Sequence, residues 1–465
     1  MLLDPKWLLE LAHGPADHAP GSPDSNGEPS DSPPDGLLNV PGGLAARVLS
    51  NLRVTSPAHW QDVRHLTLSI ANYHPYVPGD VLTIYPKNFP ADVNEFLRVM
   101  GWTSIADSPL KFVPSSPNIP SSSPLPIPSL SLDTPITLRA LITNHLDIMS
   151  IPRRSFFAQL AHFTNDEFHR ERLLEFTNPE YIDELYDYTT RPRRSILEVL
   201  QEFESVKIPW PRLCSIIPSM RGRQFSIASA QQPSAQKSNG TIFELLIAIV
   251  KYKTVIKRIR QGVCTRYIAS LAPGQEISVT LHKGGLGVTK NESEKPVVMI
   301  GPGTGVAPMR ALIYQRKYWR EEMQPVGGPP GDLLFFGCRN AEADYFFKEE
   351  WQQLKSEGVC LDVMPAFSRD QVCLHYVAIR PYANHLQRQK VYVQDLIREH
   401  SARVYDSLFT KTGIVYICGS SGKMPQAVRE ALIESFQYNG SMNREEAEAY
   451  LAGMEKSGRY KQETW

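Results

Sequence analysis

The segment Gly301-Pro-Gly-Thr-Gly-Val-Ala-Pro308 follows the apolar run Val297–Ile300 and precedes a helical pattern. Glycines let a backbone approach a diphosphate closely, and a helix N-terminus favours its negative charge. A dinucleotide is the expected ligand, with Gly303 and Gly305 beside its phosphates. The alternative is a tight structural turn. Two strand ends and a later segment supply more polar groups. Cys338 and Arg339 end one strand, Ser368 and Arg369 follow the next, and Lys390-Val391-Tyr392-Val393-Gln394 comes later. Strand C-termini in such sheets face the ligand crevice. An Arg and a Lys beside Ser and Tyr hydroxyls suit a dianionic 2′-phosphate, which would select NADPH over NADH. Taken alone, each group reads equally well as solvated surface, and Cys338 as a packed small residue.

A second set lies upstream. Arg223-Gln224-Phe225-Ser226 begins a strand, and alternation places Arg223 and Phe225 on one face. A ring there could stack on a flavin while the arginine meets its pyrophosphate; an ordinary strand is the other reading. Gly262-Val263-Cys264-Thr265 opens an apparent helix whose amides could hold the same pyrophosphate. The C-terminal Trp465 is either incidental or a cover for a flavin face.

These residues need elements to position them. Residues 1–40 open with MLLDPKWLLELAHG, read as a short helix, and continue into a Pro-, Gly- and Ser-rich linker expected to be disordered. Ala45–Leu52 and Val63–Ile70 alternate as half-buried strands do, and β texture returns after Arg223. Between them, 150–205 shows helical spacing. The reading is an α+β multidomain chain. An antiparallel barrel (41–140 and 215–292) is interrupted by a helical subdomain (141–214). A doubly wound α/β domain (293–465) follows, with buried parallel strands at 297, 333, 360 and 414.

Composition narrows the function. Lys plus Arg is 49 and Asp plus Glu is 49 in 465 residues, which argues against a dedicated nucleic-acid binder. The six cysteines form no C-x-x-C pair, so no metal site is expected. No stretch is long and apolar enough to span a membrane, and the N-terminus does not read as a signal peptide.

The ordered motifs, ending in Cys418-Gly and Gln462-Glu-Thr-Trp465, resemble the cytochrome P450 reductase-like flavoproteins. Within that family, Ser150–Phe157, Arg170–Phe176 and Arg191–Leu200 are most similar to the diflavin reductases of cytosolic iron–sulfur protein assembly. The resemblance covers Ala45 to Trp465 and implies a ferredoxin–NADP reductase-like fold. It implies hydride transfer from NADPH to FAD, then electrons through FMN to an anamorsin-type iron–sulfur protein. It implies FAD at Arg193, Arg223, Gln224, Phe225, Ser226 and 262–265. NADPH would lie at Thr304, Cys338, Arg339, Ser368, Arg369 and 390–394. Trp465 would cover the isoalloxazine, and Ser226, Cys418 and Glu463 would surround the hydride path. The implied location is cytoplasmic, with the mitochondrion as a second candidate.

Four departures stand out. No flavodoxin-like FMN domain is read ahead of residue 45, so the relay would need one supplied. Phe225 stands where many relatives have Tyr, and Glu463 where the P450 reductases have Asp. Gln371–Gln387 is extra. Removing Val372–Gln387 restores the family pattern, so this segment reads either as a translated intron or as a genuine surface loop. Two other functions are weighed: a self-sufficient single-flavin reductase and an inactive truncated binding module. The basic run Lys251–Arg260 reads as a solvated face or as a dock for an acidic flavodoxin-like domain.

Overall fold

The computed structural model describes residues 5–12, 31–120, 122–232, 240–323, 331–370 and 390–465. The extra segment, with Cys373, lies outside the described residues, as does most of the expected linker.

Six antiparallel strands pair in the order Arg223–Ser226, Val81–Ile84, Glu276–His282, Leu44–Arg53, Val63–Ile70, Thr241–Ala248. The sheet curls because the chain leaving its first strand meets its last. Ile227 bridges Leu245, and the Ala228 amide donates to the Glu244 carbonyl at 2.7 Å. The alternation read in the sequence sends Ala46, Val48, Leu66, Leu68, Phe243 and Leu245 into the barrel core. A hairpin, Lys251–Lys253 with Ile259–Gln261, projects from this barrel and leads through Gly262 into the helix Val263–Ser270.

The N-terminal segment is a strand, not the expected helix. Trp7–Leu11 pairs antiparallel with Leu110–Pro114, because Trp7 and Leu9 alternate inward onto the helical lobe. Part of the expected linker is also tied down: Lys87 Nζ donates to the carbonyls of Pro34 and Gly36, and the Leu38 amide donates to Ser278 Oγ. The helical lobe's core joins Phe156, Leu160, Ile196 and Leu200 to Phe96, Leu97, Leu138 and Leu141. It therefore takes in residues on both sides of the expected 140/141 boundary.

The C-terminal lobe is a parallel sheet in the order Leu361–Phe367, Asp332–Cys338, Val297–Ile300, Ile414–Gly419, Tyr460–Thr464. The last strand carries Glu463 and went unread in the sequence. Val297 and Met299 face one layer of helices, including Val306–Met323; Val298 and Ile300 face the other, including Met424–Gly440. Both faces are thus covered, which explains the continuous apolar runs. The strand order reverses beside Val297–Ile300, so the Gly301–Pro308 loop leaves the sheet at its switch point.

The lobes share apolar packing. Val63, Ala228, Leu246 and Leu286 of the barrel region pack in one cluster with Val306, Met309 and Phe346.

Candidate active site

Arg193, Arg223, Gly262 and Val263 are brought together in one cleft of about 740 Å³. Arg193 adopts a left-handed backbone (φ 53°), a conformation unfavourable for a side chain with Cβ and typical of a position held by its surroundings. Arg223 extends from the barrel's edge strand and pairs with Asp147 at 3.3 Å. Burial pushes the Asp147 carboxyl up, and the Arg223 charge opposes that shift. Gly262 caps the following helix with no side-chain hydrogen bond, so the amides of its first turn have no partner within the helix. A Cβ on Gly262 would stand 2.9 Å from Thr265 Oγ1 and 3.0 Å from Val250 Cβ.

Not every expected ligand faces this cleft. Cys264 is buried against the barrel core, and the Thr265 hydroxyl is engaged by the Val250 amide and the Gly262 carbonyl. Their backbone amides remain as possible contacts; their side chains serve packing and turn geometry. Gln224 is exposed on the edge strand, and Phe225 rests partly on the barrel core. Sequence reading missed Asp147 and Arg266, which also line the cleft, because isolated charges carry no motif. Tyr252 and Arg260 belong to the basic run read as a solvated face or a dock, and they line the cleft instead.

Glu198 holds the hairpin from across the cleft. Its Oε1 accepts from Arg258 at 2.6 Å and Arg260 at 2.7 Å, and its Oε2 accepts from the Ser195 amide. Burial works against its charge, but hydrogen bonds from Arg260, Ser195 and Arg258 outweigh it and hold the carboxyl at about 2.

A second cleft, of about 320 Å³, joins Gly303 and Thr304 to His59, Asp344, Gly419 and Trp465. Gly303 has φ 58° with open space where a Cβ would project. At Gly305 a Cβ would stand 2.2 Å from the Cys418 carbonyl, so only glycine allows the loop to press on that strand. Beyond this cleft, the Ser368 amide donates to the Cys338 carbonyl and the Arg369 amide to the Arg339 carbonyl. These bonds set the two strand ends side by side. Asp344 accepts from the Arg339 and Asn340 amides, and the Arg339 guanidinium lies 4.4 Å from the Trp60 ring centre. Lys390 and Tyr392 are exposed, whereas Val391 and Val393 are buried in the core. The side chains of the two valines therefore serve packing, which leaves only their backbone to meet a cofactor. The same holds for the Cys338 side chain, buried beneath the strand end.

Glu463 and Cys418 are register partners on neighbouring parallel strands. Burial, then the charge of Glu463, pushes the Cys418 thiol well above its ordinary value. Burial likewise raises the Glu463 carboxyl, against a hydrogen bond from the Gly285 amide. Ser226 is reached through contacts along the seam: it pairs with Val81, next to Asp80, and Asp80 accepts from the Gly284 amide beside Gly285. Trp465 is half exposed, with its amide donating to the Gly419 carbonyl.

The donor sets fit FAD and a nicotinamide dinucleotide. The larger cleft gathers cations and helix-start amides, which suit a diphosphate. Within it Asp147 Oδ1 and Arg260 Nη2 are buried without partners, as expected where a polar ligand completes the wall. Glu463 Oε2 at the seam likewise lacks a hydrogen-bond partner, and His59 Nε2 in the second cleft makes no hydrogen bond but lies 3.8 Å from Asp344 Oδ2.

Comparison with known proteins agrees. Residues 43–267 match the FAD binding domain family, and 299–430 match the oxidoreductase NAD-binding domain family. NADPH-dependent diflavin oxidoreductase 1 of Aspergillus fumigatus is 48% identical over 487 residues, covering 100% of this chain and 71% of that protein. The Emericella nidulans protein of that name is 49% identical over 485 residues, with 100% and 71% coverage. The Xenopus laevis protein of that name is 40% identical over 425 residues, covering 90% of this chain and 64% of its own length.

Proposed function

The chain belongs to the family of NADPH-dependent diflavin oxidoreductases, and from that premise we propose that it feeds electrons through FMN to an anamorsin-type iron–sulfur protein of cytosolic cluster assembly. Its NADPH-to-flavin step follows from the family and from its FAD- and nucleotide-binding domains. The onward path is the proposal. It is supported by the likeness of 150–200 to reductases of that pathway, and the location it requires is the cytoplasm.

The observation that carries the NADPH-to-flavin step is the seam where both lobes deliver residues: Glu463 from the nucleotide lobe meets Gly285 from the barrel, 3.4 Å apart. When bound, FAD accepts a hydride from NADPH and releases electrons singly. The chain's own part is to hold and shield. Arg193, Arg223 and the amides after Gly262 would hold the FAD diphosphate, and Gly303–Gly305 that of the nucleotide. Ser368, Arg369, Lys390 and Tyr392 would take its 2′-phosphate. Trp465, which lines the second cleft and is half exposed, would shield the flavin face from water. Burial raises both the Cys418 thiol and the Glu463 carboxyl, and the two stand side by side at the seam.

The test uses the full chain loaded with FAD. NADPH should bleach the flavin and drive ferricyanide reduction. Reduction of the iron–sulfur protein should appear only when a flavodoxin-like FMN domain is present. Equal rates with and without that domain would reject the proposed relay.

A further inference from the structure

The hairpin 251–261 forms one wall of the flavin cleft, through Lys251, Tyr252, Ile259, Arg260 and Gln261. The helical lobe lines the same cleft through Asp147, Met149, Ser150, Ile151, Arg193 and Ser195. Glu198, one turn into the helix Ile196–Glu202, spans the two by taking both Arg258 and Arg260 on a single oxygen. Arg260 Nε donates in addition to the Pro192 carbonyl at 3.1 Å, next to Arg193.

We propose that Glu198 is a positioning residue that clasps this hairpin against the helical lobe and thereby slows release of FAD. The inference rests on FAD occupying the cleft. A two-stranded hairpin has little stability of its own, so its position depends on what it is fastened to. Its exposed Val255, Ile256 and Ile259 give it no apolar anchor at the tip. The clasp is shielded rather than superficial: the side chains of Arg260 and Glu198 are 15% and 13% exposed. Ion pairs so placed are screened by salt less than surface pairs. The guanidinium is held at Nε and Nη1, while Nη2 keeps its protons without a partner. A small turn of the hairpin would offer that group to the diphosphate.

The measurement is the rate at which FAD leaves the full chain, read by the return of free-flavin fluorescence. Glu198→Gln is the primary variant, because glutamine serves as well as glutamate in the capping box with Ser195, so the helix start is kept. FAD should leave roughly 10-fold faster or more, as for loss of a charged hydrogen bond. The gain should vanish in an Arg260→Gln background, since the two act through each other. Should that background not fold, Arg258→Ala, on the exposed partner, takes its place in the cycle. Arg223→Ala is the control for the cleft itself. Release unchanged by Glu198→Gln but faster in Arg223→Ala overturns the clasp and leaves the cleft assignment standing. Release unchanged in both overturns the assignment and the clasp with it. Additive effects of Glu198→Gln and Arg260→Gln also overturn it, because Glu198 would then not act through Arg260.

Discussion

Arg310, on the first helix of the nucleotide lobe, pairs with Glu244 of the barrel at 2.7 Å. The same guanidinium donates to the Ala228 carbonyl and pairs with Glu350, and Glu244 also meets His65. The pair sits where the lobes' apolar packing is continuous.

Arg310→Ala should therefore uncouple the lobes as well as destabilise them. Removing one partner of a buried pair strands the other charges, at a cost of about 3–5 kcal/mol. Chemical denaturation followed by flavin release and by tryptophan fluorescence should change from coincident transitions to separate ones.

At Gly305 the prediction is selective. A methyl group there meets the Cys418 carbonyl at 2.2 Å, so Gly305→Ala must push the loop off its strand. NADPH binding, followed by difference spectroscopy, should fall by roughly 10-fold or more, on the order of 1.4 kcal/mol. FAD content should stay near one per chain, since the larger cleft is untouched.

Arg369→Ala should weaken NADPH by about 1.5–3 kcal/mol, as for a lost charged hydrogen bond. NADH, lacking the 2′-phosphate, should be little affected. Steady-state KM values for the two nucleotides decide; equal losses would reject the phosphate cage.

Deleting Trp465 should favour NADH. The ring is half exposed and held through its backbone bonds to Gly419 and Ser421, so its loss leaves the sheet intact. The ratio of kcat/KM for NADH to that for NADPH should rise. An unchanged ratio would count against a covering role.

Burial lowers the His145 pKa to about 4. The unfolded chain takes up a proton near pH 6.5, so between those values it binds more protons than the fold. The stability at stake is present above pH 6.5 and is lost as pH falls toward 4, by about 3 kcal/mol in total. Urea midpoints should fall more between pH 7 and 4.5 in the native chain than in His145→Gln.

Strong local patterns made much of this fold legible. The apolar runs at Val297 and Ile414 belong to strands covered on both faces, and the alternation of 63–70 marks a half-buried one. Trp7–Leu11 was misread because its five residues hold only three alternating positions, too few to separate a strand from a helix, and its partner lies a hundred residues away. Tyr460–Thr464 has a polar, half-exposed pattern that no periodicity reveals. The site divides the same way. Glycine loops announce themselves because their geometry is local. Asp147 and Glu198 act through partners far along the chain, and nothing in their immediate neighbours signals it.

The shared packing of the two lobes has a mechanical consequence. Among the described residues the two lobes share one apolar interior, so a swinging of lobe against lobe, which takes microseconds to milliseconds, would have to break that packing. The final strand is stitched to its neighbour up to Thr464, and the half-exposed Trp465 that follows lines the second cleft. Exposed side chains turn over within nanoseconds. On the covering role proposed for Trp465, the door to this site would be a single ring rather than a moving lobe.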